Sequence, residues 1–253
     1  MEYELLNVLE NNGFVDRVIY EYETTSTNDI CKANTDIDRL LAIAELQTAG
    51  RGRMGRHWES PAGEGIWMSL LCHPDLPPEC IPGITLLAGL AIAECTDALI
   101  KWPNDIIING KKICGILTEM VTDADSKNHI ICGMGINVNT ESFPEELKSK
   151  GTSLYLERGK KFSREPLIVS IIQKLTNYIN EYEKTGNLSF IKKQYESLLI
   201  HMDKKVILHS LSEATYITRG IDNSGALIVE DDAGELHTIS SDEISVRGLL
   251  GYI

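Results

Sequence analysis

Residues 41–58 read LAIAELQTAGRGRMGRHW. The apolar start reads as a strand, which then breaks into Gly50, Gly52 and Gly55 alternating with Arg51, Arg53 and Arg56. Glycines let a backbone approach a ligand closely and take dihedrals that other residues avoid. Arginines fork onto phosphate or carboxylate oxygens with two donors each. The formal net charge is −13, so this cationic loop reads as one local anion site rather than part of a general anion-attracting surface.

Upstream, residues 2–12 form a short amphipathic helix pattern ending at Gly13, and residues 14–22 read as a strand. Residues 24–29, TTSTND, are a dense run of N-cap residues ahead of a helix through Ala33. They either cap that helix or turn spare hydroxyls and amides toward a polar ligand head. Downstream, residues 65–72, GIWMSLLC, are a strongly apolar strand, and Pro74, Pro77, Pro78 and Pro82 mark the connection after it. Residues 84–99, apolar nearly all round, predict a buried helix. Two strand patterns, IIIN and KICGILTEM, meet at Asn109-Gly110, a hairpin signal. Residues 123–128 read as a polar turn and residues 129–139 as another strand. Consecutive strands with short turns imply a largely antiparallel meander.

Residues 141–161 read as loop-rich. Ser163 and Pro166 open a helix to about Lys184, with Gly186 as its stop, and residues 190–200 suggest a second helix. From Lys204 short strands (KVILHS, ATYITRGI, ALIVED, LHTIS, ISVR) alternate with turns, the pattern of a small all-β barrel. The expected class is α+β: a mixed, largely antiparallel sheet flanked by helices over residues 1–203, then a barrel over residues 204–253.

Composition narrows the function. The chain has 253 residues, 43% hydrophobic and 24% charged, as in an ordinary globular protein. No apolar run reaches the roughly 20 residues of a membrane-spanning helix, and residues 1–13 lack the basic-then-apolar pattern of a secretion signal. The acidic balance argues against nonspecific nucleic-acid binding. Six widely spaced cysteines without a CxxC pair fit buried, reduced thiols better than a zinc or disulfide framework. These features predict a cytoplasmic protein.

Lys101 precedes Trp102-Pro103, a stiff apolar corner that would pack its stem and aim its ammonium at one place. A snorkelling surface lysine is the plain alternative. Asn104 and Asp105 add polar groups with no strand-forming reason, and Asp105 suits a magnesium ion, Lys101 itself or a turn cap. Residues 133–137, GMGIN, lack the third glycine and the βαβ setting of a dinucleotide fingerprint. Two glycines in a strand mark close backbone approach to a ligand, or a bulge. There is no Walker A sequence, no Gly-x-Ser-x-Gly elbow and no metal-like histidine spacing. Taken alone, these features suit phosphate chemistry on a small acid without naming it.

Five segments, in order, resemble the biotin–protein ligases (holocarboxylase synthetases). They are Ser26-Thr27-Asn28; Gln47 through Arg56; Lys101-Trp102-Pro103-Asn104-Asp105; Lys112-Ile113-Cys114-Gly115-Ile116-Leu117; and Gly133-Met134-Gly135-Ile136-Asn137. Arg219-Gly220-Ile221-Asp222 ahead of Gly225-Ala226-Leu227 looks like that family's C-terminal domain. The resemblance implies a catalytic domain related to class II aminoacyl-tRNA synthetases, followed by an SH3-like barrel. It implies two half-reactions: biotin and Mg-ATP (ATP with Mg2+) give biotinyl-5′-AMP, then a lysine of a biotin carboxyl carrier domain attacks that anhydride.

By position, Ser26, Thr27, Asn28 and Gln47 are expected to bind biotin's ureido head. Arg51, Gly52 and Arg53 are expected to wrap the adenylate, and Lys101 to bridge the biotin carboxylate and the α-phosphate. Arg53 and Lys101 are thus the expected catalytic groups, with Arg56, Trp58 and Asn137 assisting at the nucleotide; the resemblance identifies no metal ligand. It is compatible with a homodimer. Bifunctional members carry a winged-helix domain ahead of Ser-Thr-Asn; only 25 residues precede it here, so no repressor activity, nucleic-acid partner or membrane partner is expected. A lipoate- or octanoate-handling enzyme is the nearest rival, and a biotin-binding protein without transfer is another.

Overall fold

The computed structural model describes residues 3–122, 127–209, 214–240 and 245–248. Seven strands form the larger sheet: β1 (Arg17–Thr24), β2 (Leu40–Gln47), β3 (Gly65–Cys72), β4 (Leu99–Lys101), β5 (Asp105–Ile108), β6 (Lys111–Thr122) and β7 (Asn128–Asn137). Their order is β1-β2-β3-β7-β6-β5-β4, and only β1 and β2 run parallel. The mixed, largely antiparallel sheet is therefore as expected. The strand read at residues 65–72 is β3, buried at every position, as a continuous apolar run requires. Asn109 and Gly110 both take positive φ (47° and 81°), as a tight hairpin turn between β5 and β6 demands. The turn expected at residues 123–128 lies mostly outside the described residues.

Among the described residues six α-helices accompany the strands: α1 (Tyr3–Asn11), α2 (Thr27–Lys32), α3 (Ile81–Thr96), α4 (Leu154–Arg158), α5 (Arg164–Thr185) and α6 (Lys192–Leu198). The helix expected over residues 84–99 begins and ends three residues earlier. Pro82 sits in its first turn, where a missing N–H costs nothing, and Asp97 takes a left-handed conformation (φ 51°) that stops it. The chain then enters β4, which helical periodicity had absorbed. With the turn before it, Pro78–Thr96 spans 19 residues of mean hydropathy 1.4, apolar and long enough to cross a membrane by composition alone. Its side chains Ile84, Leu87, Leu90, Ala91 and Ile92 are instead buried in the core. The segment read as loop-rich at residues 141–161 contains α4, capped by Ser153 Oγ accepting from Leu156 N at 3.1 Å.

Helices α3 and α5 seal one face of the sheet, and α2 lies on the other. A buried ion pair ties α5 to that arrangement. Arg164 holds both Glu45 oxygens, at 2.9 and 3.0 Å, while Tyr20 Oη donates to Glu45 at 3.0 Å. Burial pushes the Glu45 carboxyl up, but Arg164 outweighs it and holds the group below its ordinary value.

The remaining strands, β8 (Lys205–His209), β9 (Thr215–Ile221), β10 (Leu227–Glu230), β11 (Leu236–Ile239) and β12 (Ser245–Gly248), form an antiparallel sheet in the order β11-β10-β9-β8-β12. Val206, Leu208, Ile221, Leu227 and Val229 join the same apolar cluster as α3 and α5. Trp102 Nε1, just after β4, donates to Gly225 O in the turn between β9 and β10 at 3.0 Å, and Ile200 N, in the segment leading into β8, donates to Ile100 O of β4 at 2.9 Å. All six cysteines are free. Burial pushes the Cys31 and Cys132 thiols up to about 12, so they stay neutral.

Candidate functional site

Strand register builds the floor of a cleft. Residues directly opposite on neighbouring strands share a face. One row runs Ala42, Ser69, Gly133, Leu117, and the next runs Ala44, Trp67, Gly135, Gly115, Asp105. Three glycines in these rows leave room for side chains arriving from above. A Cβ at Gly133 would collide with Asn28 Oδ1, one at Gly135 with the Trp58 indole, and one at Gly115 would lie 2.9 Å from Lys112 Nζ. The paired glycines expected to mark close approach thus receive protein side chains at the edge of a cleft of ≈ 450 Å³, open mouth included.

The glycine–arginine loop forms one wall. It folds as a small hairpin, with Gln47 opposite Ser60 and Arg51 opposite His57. Trp58 N donates to Gly50 O at 2.9 Å and Gly52 N to Arg56 O at 2.7 Å. At the tip Met54 and Gly55 both take positive φ. Arg51, Gly52, Arg53 and Trp58 line the cleft. Arg51 grips both oxygens of Asp29, with Nη1 to Oδ2 at 3.1 Å, and holds that carboxyl below its usual range. Arg53 Nη1 reaches Asn104 Oδ1 at 3.3 Å.

The start of α2 forms a wall that adjoins the loop. Ser26, Thr27 and Asn28 line the cleft and are nearly fully buried. Ser26 occupies the N-cap position without a side-chain capping bond, so plain capping does not account for its hydroxyl. Thr27 N donates to Gln47 Oε1 at 2.8 Å, and Gln47 Nε2 donates to Ser60 Oγ at 2.8 Å.

The expected residues thus divide. Ser26, Thr27, Asn28, Gln47, Arg51, Gly52, Arg53 and Trp58 meet in one cleft. Lys101, Arg56 and Asn137 are not among its lining. Lys101 is buried at the end of β4; burial first, then the charges of Lys101 and Lys204, depress the His201 imidazole. Arg56 is exposed, and Asn137 Nδ2 donates to Thr152 O at 3.2 Å. The lysine that lines the cleft is Lys112, whose Nζ stands 2.5 Å from Asp105 Oδ1 and 5.1 Å from the centre of the Trp58 ring. Asp105 therefore pairs with a lysine, though with Lys112. Ser69 and Glu119, which bond Asn28 from behind, also lay outside the sequence reading. A lone hydroxyl in an otherwise apolar strand was the available signal for Ser69, since a buried hydroxyl needs a partner.

Chemically the cleft offers two kinds of group. Ser26, Thr27, Asn28 and Gln47 supply neutral hydroxyl and amide groups suited to a polar, uncharged head. Arg51, Arg53 and Lys112 supply cationic donors suited to anions, with Arg51 held by Asp29 and Lys112 by Asp105.

Known proteins resemble this chain in sequence and fold. Residues 20–137 fit the biotin/lipoate A/B protein ligase family, and residues 214–247 the biotin protein ligase C-terminal domain. The chain is 38% identical over 253 residues to the bifunctional ligase/repressor BirA of Bacillus spizizenii, covering 95% of this chain and 78% of that protein. It is 30% identical over 240 residues to biotin–[acetyl-CoA-carboxylase] ligase of Mycobacterium tuberculosis, covering 90% and 87% respectively. The solved structure of biotin protein ligase from Aquifex aeolicus in complex with biotin and ATP superposes with a TM-score of 0.78 at 29% identity, covering 92% of this chain and 99% of that one. The fold, the cleft and these relatives lead to one assignment: the chain belongs to the biotin–protein ligases, a family of ATP-dependent ligases.

Proposed function

We infer that this chain activates biotin with Mg-ATP to biotinyl-5′-AMP and then transfers biotin to a lysine of a carboxylase carrier domain. The observation that carries this reading is a single cleft lined both by neutral hydrogen-bonding groups and by Arg51, Arg53 and Lys112. Biotin has the matching groups, a cyclic urea and a carboxylate.

In the first half-reaction a carboxylate oxygen attacks the α-phosphorus of ATP and pyrophosphate leaves. Two anions must meet, so fixed cations that bind best as charge develops lower the barrier. Lys112 takes the role first expected of Lys101: it lines the cleft, and Asp105 fixes its ammonium. Arg51 and Arg53 flank the same space with planar donors that suit phosphate and carboxylate oxygens. No protein nucleophile is required. In the second half-reaction the carrier lysine attacks the acyl carbon and AMP leaves. Ser26, Thr27, Asn28 and Gln47 hold the head group throughout. A hairpin loop over the anhydride slows its hydrolysis by excluding water.

Magnesium fits this cleft as part of the nucleotide substrate. Among the described residues no group of three His, Cys, Asp or Glu side chains could hold a metal, and Mg2+ commonly binds through substrate phosphates and few protein carboxylates. The reading divides the chain at residues 203/204 into a catalytic unit and a barrel. It contains no repressor function; the net charge of −13 supports that part, and sequence-specific duplex binding at moderate salt would overturn it.

The deciding experiment is pyrophosphate exchange into ATP with biotin, lipoate, octanoate or no acid. Exchange with biotin alone is expected. Exchange with lipoate or octanoate moves the chain to the sister activity, and none with any acid leaves a binding protein.

A further inference from the structure

Behind the cleft runs a chain of hydrogen bonds that begins at an ion pair. Lys32 Nζ lies 2.9 Å from Glu119 Oε1, and Asn28 Nδ2 donates to Glu119 Oε2 at 2.6 Å. Ser69 Oγ donates to Asn28 Oδ1 at 2.6 Å, and Thr27 Oγ1 lies 2.6 Å from Ser69 Oγ. Thr27 Oγ1 also has Gln47 Oε1 within reach at 3.2 Å. Ser69 is fully buried. Burial pushes the Glu119 carboxyl up, but the bonds from Asn28 and Lys32 outweigh it and keep the group below its ordinary value, hence ionised.

The direction of each hydrogen follows from that end. An ionised carboxylate only accepts, so it must face the amide nitrogen of Asn28. The amide oxygen then faces Ser69 and takes its one hydrogen. Ser69 is left to offer Thr27 a lone pair, and the Thr27 hydrogen is used inside the protein, at Ser69 or at Gln47. A ligand in the cleft therefore meets lone pairs at Thr27 and an N–H at Asn28.

We propose that Glu119 is a positioning residue for substrate selection. Anchored by Lys32 and acting through Asn28 and Ser69, it sets the donor and acceptor pattern of the neutral groups to match a ring that carries both N–H and C=O. The inference rests on the biotin reading above and adds a determinant to it.

Glu119→Gln keeps the shape but not the pattern. Lys32 has only donors and holds the oxygen of the new amide, whose NH2 then faces Asn28. Two donors cannot pair, so the Asn28 amide turns over, Ser69 donates to Thr27 instead, and the pattern shown to the ligand reverses at Asn28. Adding Lys32→Met frees the new amide to offer its oxygen to Asn28 and restores the original direction.

The test compares biotin with its cyclic-carbamate analogue, in which one ring N–H is replaced by O, in ATP–pyrophosphate exchange by the full chain. Glu119→Gln is expected to lower the biotin-over-carbamate ratio of kcat/KM about tenfold. The loss falls chiefly on KM for biotin, with the melting temperature little changed. Lys32→Met alone stays near the parent ratio, and Lys32→Met with Glu119→Gln recovers most of it. Ser69→Ala cuts the chain midway and lowers the ratio as well, which keeps the test open should Glu119→Gln fold poorly. An unchanged ratio in Ser69→Ala and Glu119→Gln, or a double variant no better than Glu119→Gln, overturns the relay while biotin-dependent exchange by the parent chain leaves the function standing. Absence of that exchange in the parent overturns both.

Discussion

The two faces of the seven-stranded sheet are made by the same strands and do different work. Toward α3 and α5, residues such as Ile43, Met68, Leu70, Ile116 and Ile136 form a sealed apolar cluster. Toward α2 and the glycine–arginine loop, the same strands present Ser69, Gly133, Gly135, Gly115, Glu119 and Asp105. The period-two alternation of a strand lets one segment carry both sets. The first face gains stability by removing apolar surface from water. The second gives up that gain at three glycines and two half-buried carboxylates, and gains a fixed polar cleft in return. Local departures from good packing are the usual mark of a functional site.

The sharpest way to break this contrast is on the cleft face. Lys112→Ala removes the ammonium that lines the cleft and leaves Asp105 without that partner. Loss of one fixed charge at developing negative charge is expected to slow biotin-dependent pyrophosphate exchange by about 10³-fold. Folding stability is expected to fall by only about 1 kcal/mol, because the pair lies at the cleft rather than in the core. Near-normal exchange in a markedly less stable protein would make Lys112–Asp105 a structural pair.

The reverse outcome is expected on the core face. Leu87 lies in α3 and is fully buried. Leu87→Ala removes apolar volume that its neighbours cannot refill, and should destabilise by about 3 kcal/mol. Exchange per folded molecule, measured well below the melting temperature, should stay close to that of the parent. A large loss of exchange at unchanged melting temperature would mean that the two faces are coupled through α3.

The same two faces explain what could be read without the structure. Strands buried on both sides announce themselves as unbroken apolar runs, which is why β3 was legible to the residue. The Asn109-Gly110 turn was legible because two positive φ angles restrict the choice of residues. The loop and the polar helix start were legible because glycines, arginines and N-cap residues cluster there. Lys112 was not singled out, although counting outward from the turn pairs Ile107 with Lys112 and so puts that lysine on the face of Asp105. A register shift between Ile106 and Ile107 then brings Asp105 opposite Gly115, and no local residue pattern reveals it. Lys101 drew attention through its motif, but its surroundings come from a segment about a hundred residues later, around Ile200 and His201. Sequence proximity cannot report such a contact. Glu119 and Ser69 were hidden for the same reason, since the bond from Asn28 to Glu119 spans 91 positions.

The seam between the two sheets is a third region, and it yields the smallest effect. His201 is buried beside Lys101 and Lys204, and its Nε2 has no hydrogen-bond partner among the described residues. Burial first, then those two cations, push the imidazole down from 6.5 to about 4. The folded chain therefore keeps His201 neutral at pH values where the unfolded chain protonates it. Between about pH 6.5 and 4 the unfolded state binds more protons, so stability falls as pH falls through that window and is fully present above it. The loss attributable to His201 is expected to be on the order of 2 kcal/mol. Glu45 and Glu119, both held below their ordinary values, add their own losses only toward the acid end of the window. His201→Phe removes the titrating group, so its melting temperature should vary less between pH 6.5 and 4.5 than that of the parent. Exchange activity at pH 8 should be unaffected, since His201 does not line the cleft. Parallel melting curves across that range would mean that the seam opens enough to hydrate His201. The two sheets would then be less firmly joined than the bonds from Trp102 to Gly225 and from Ile200 to Ile100 imply.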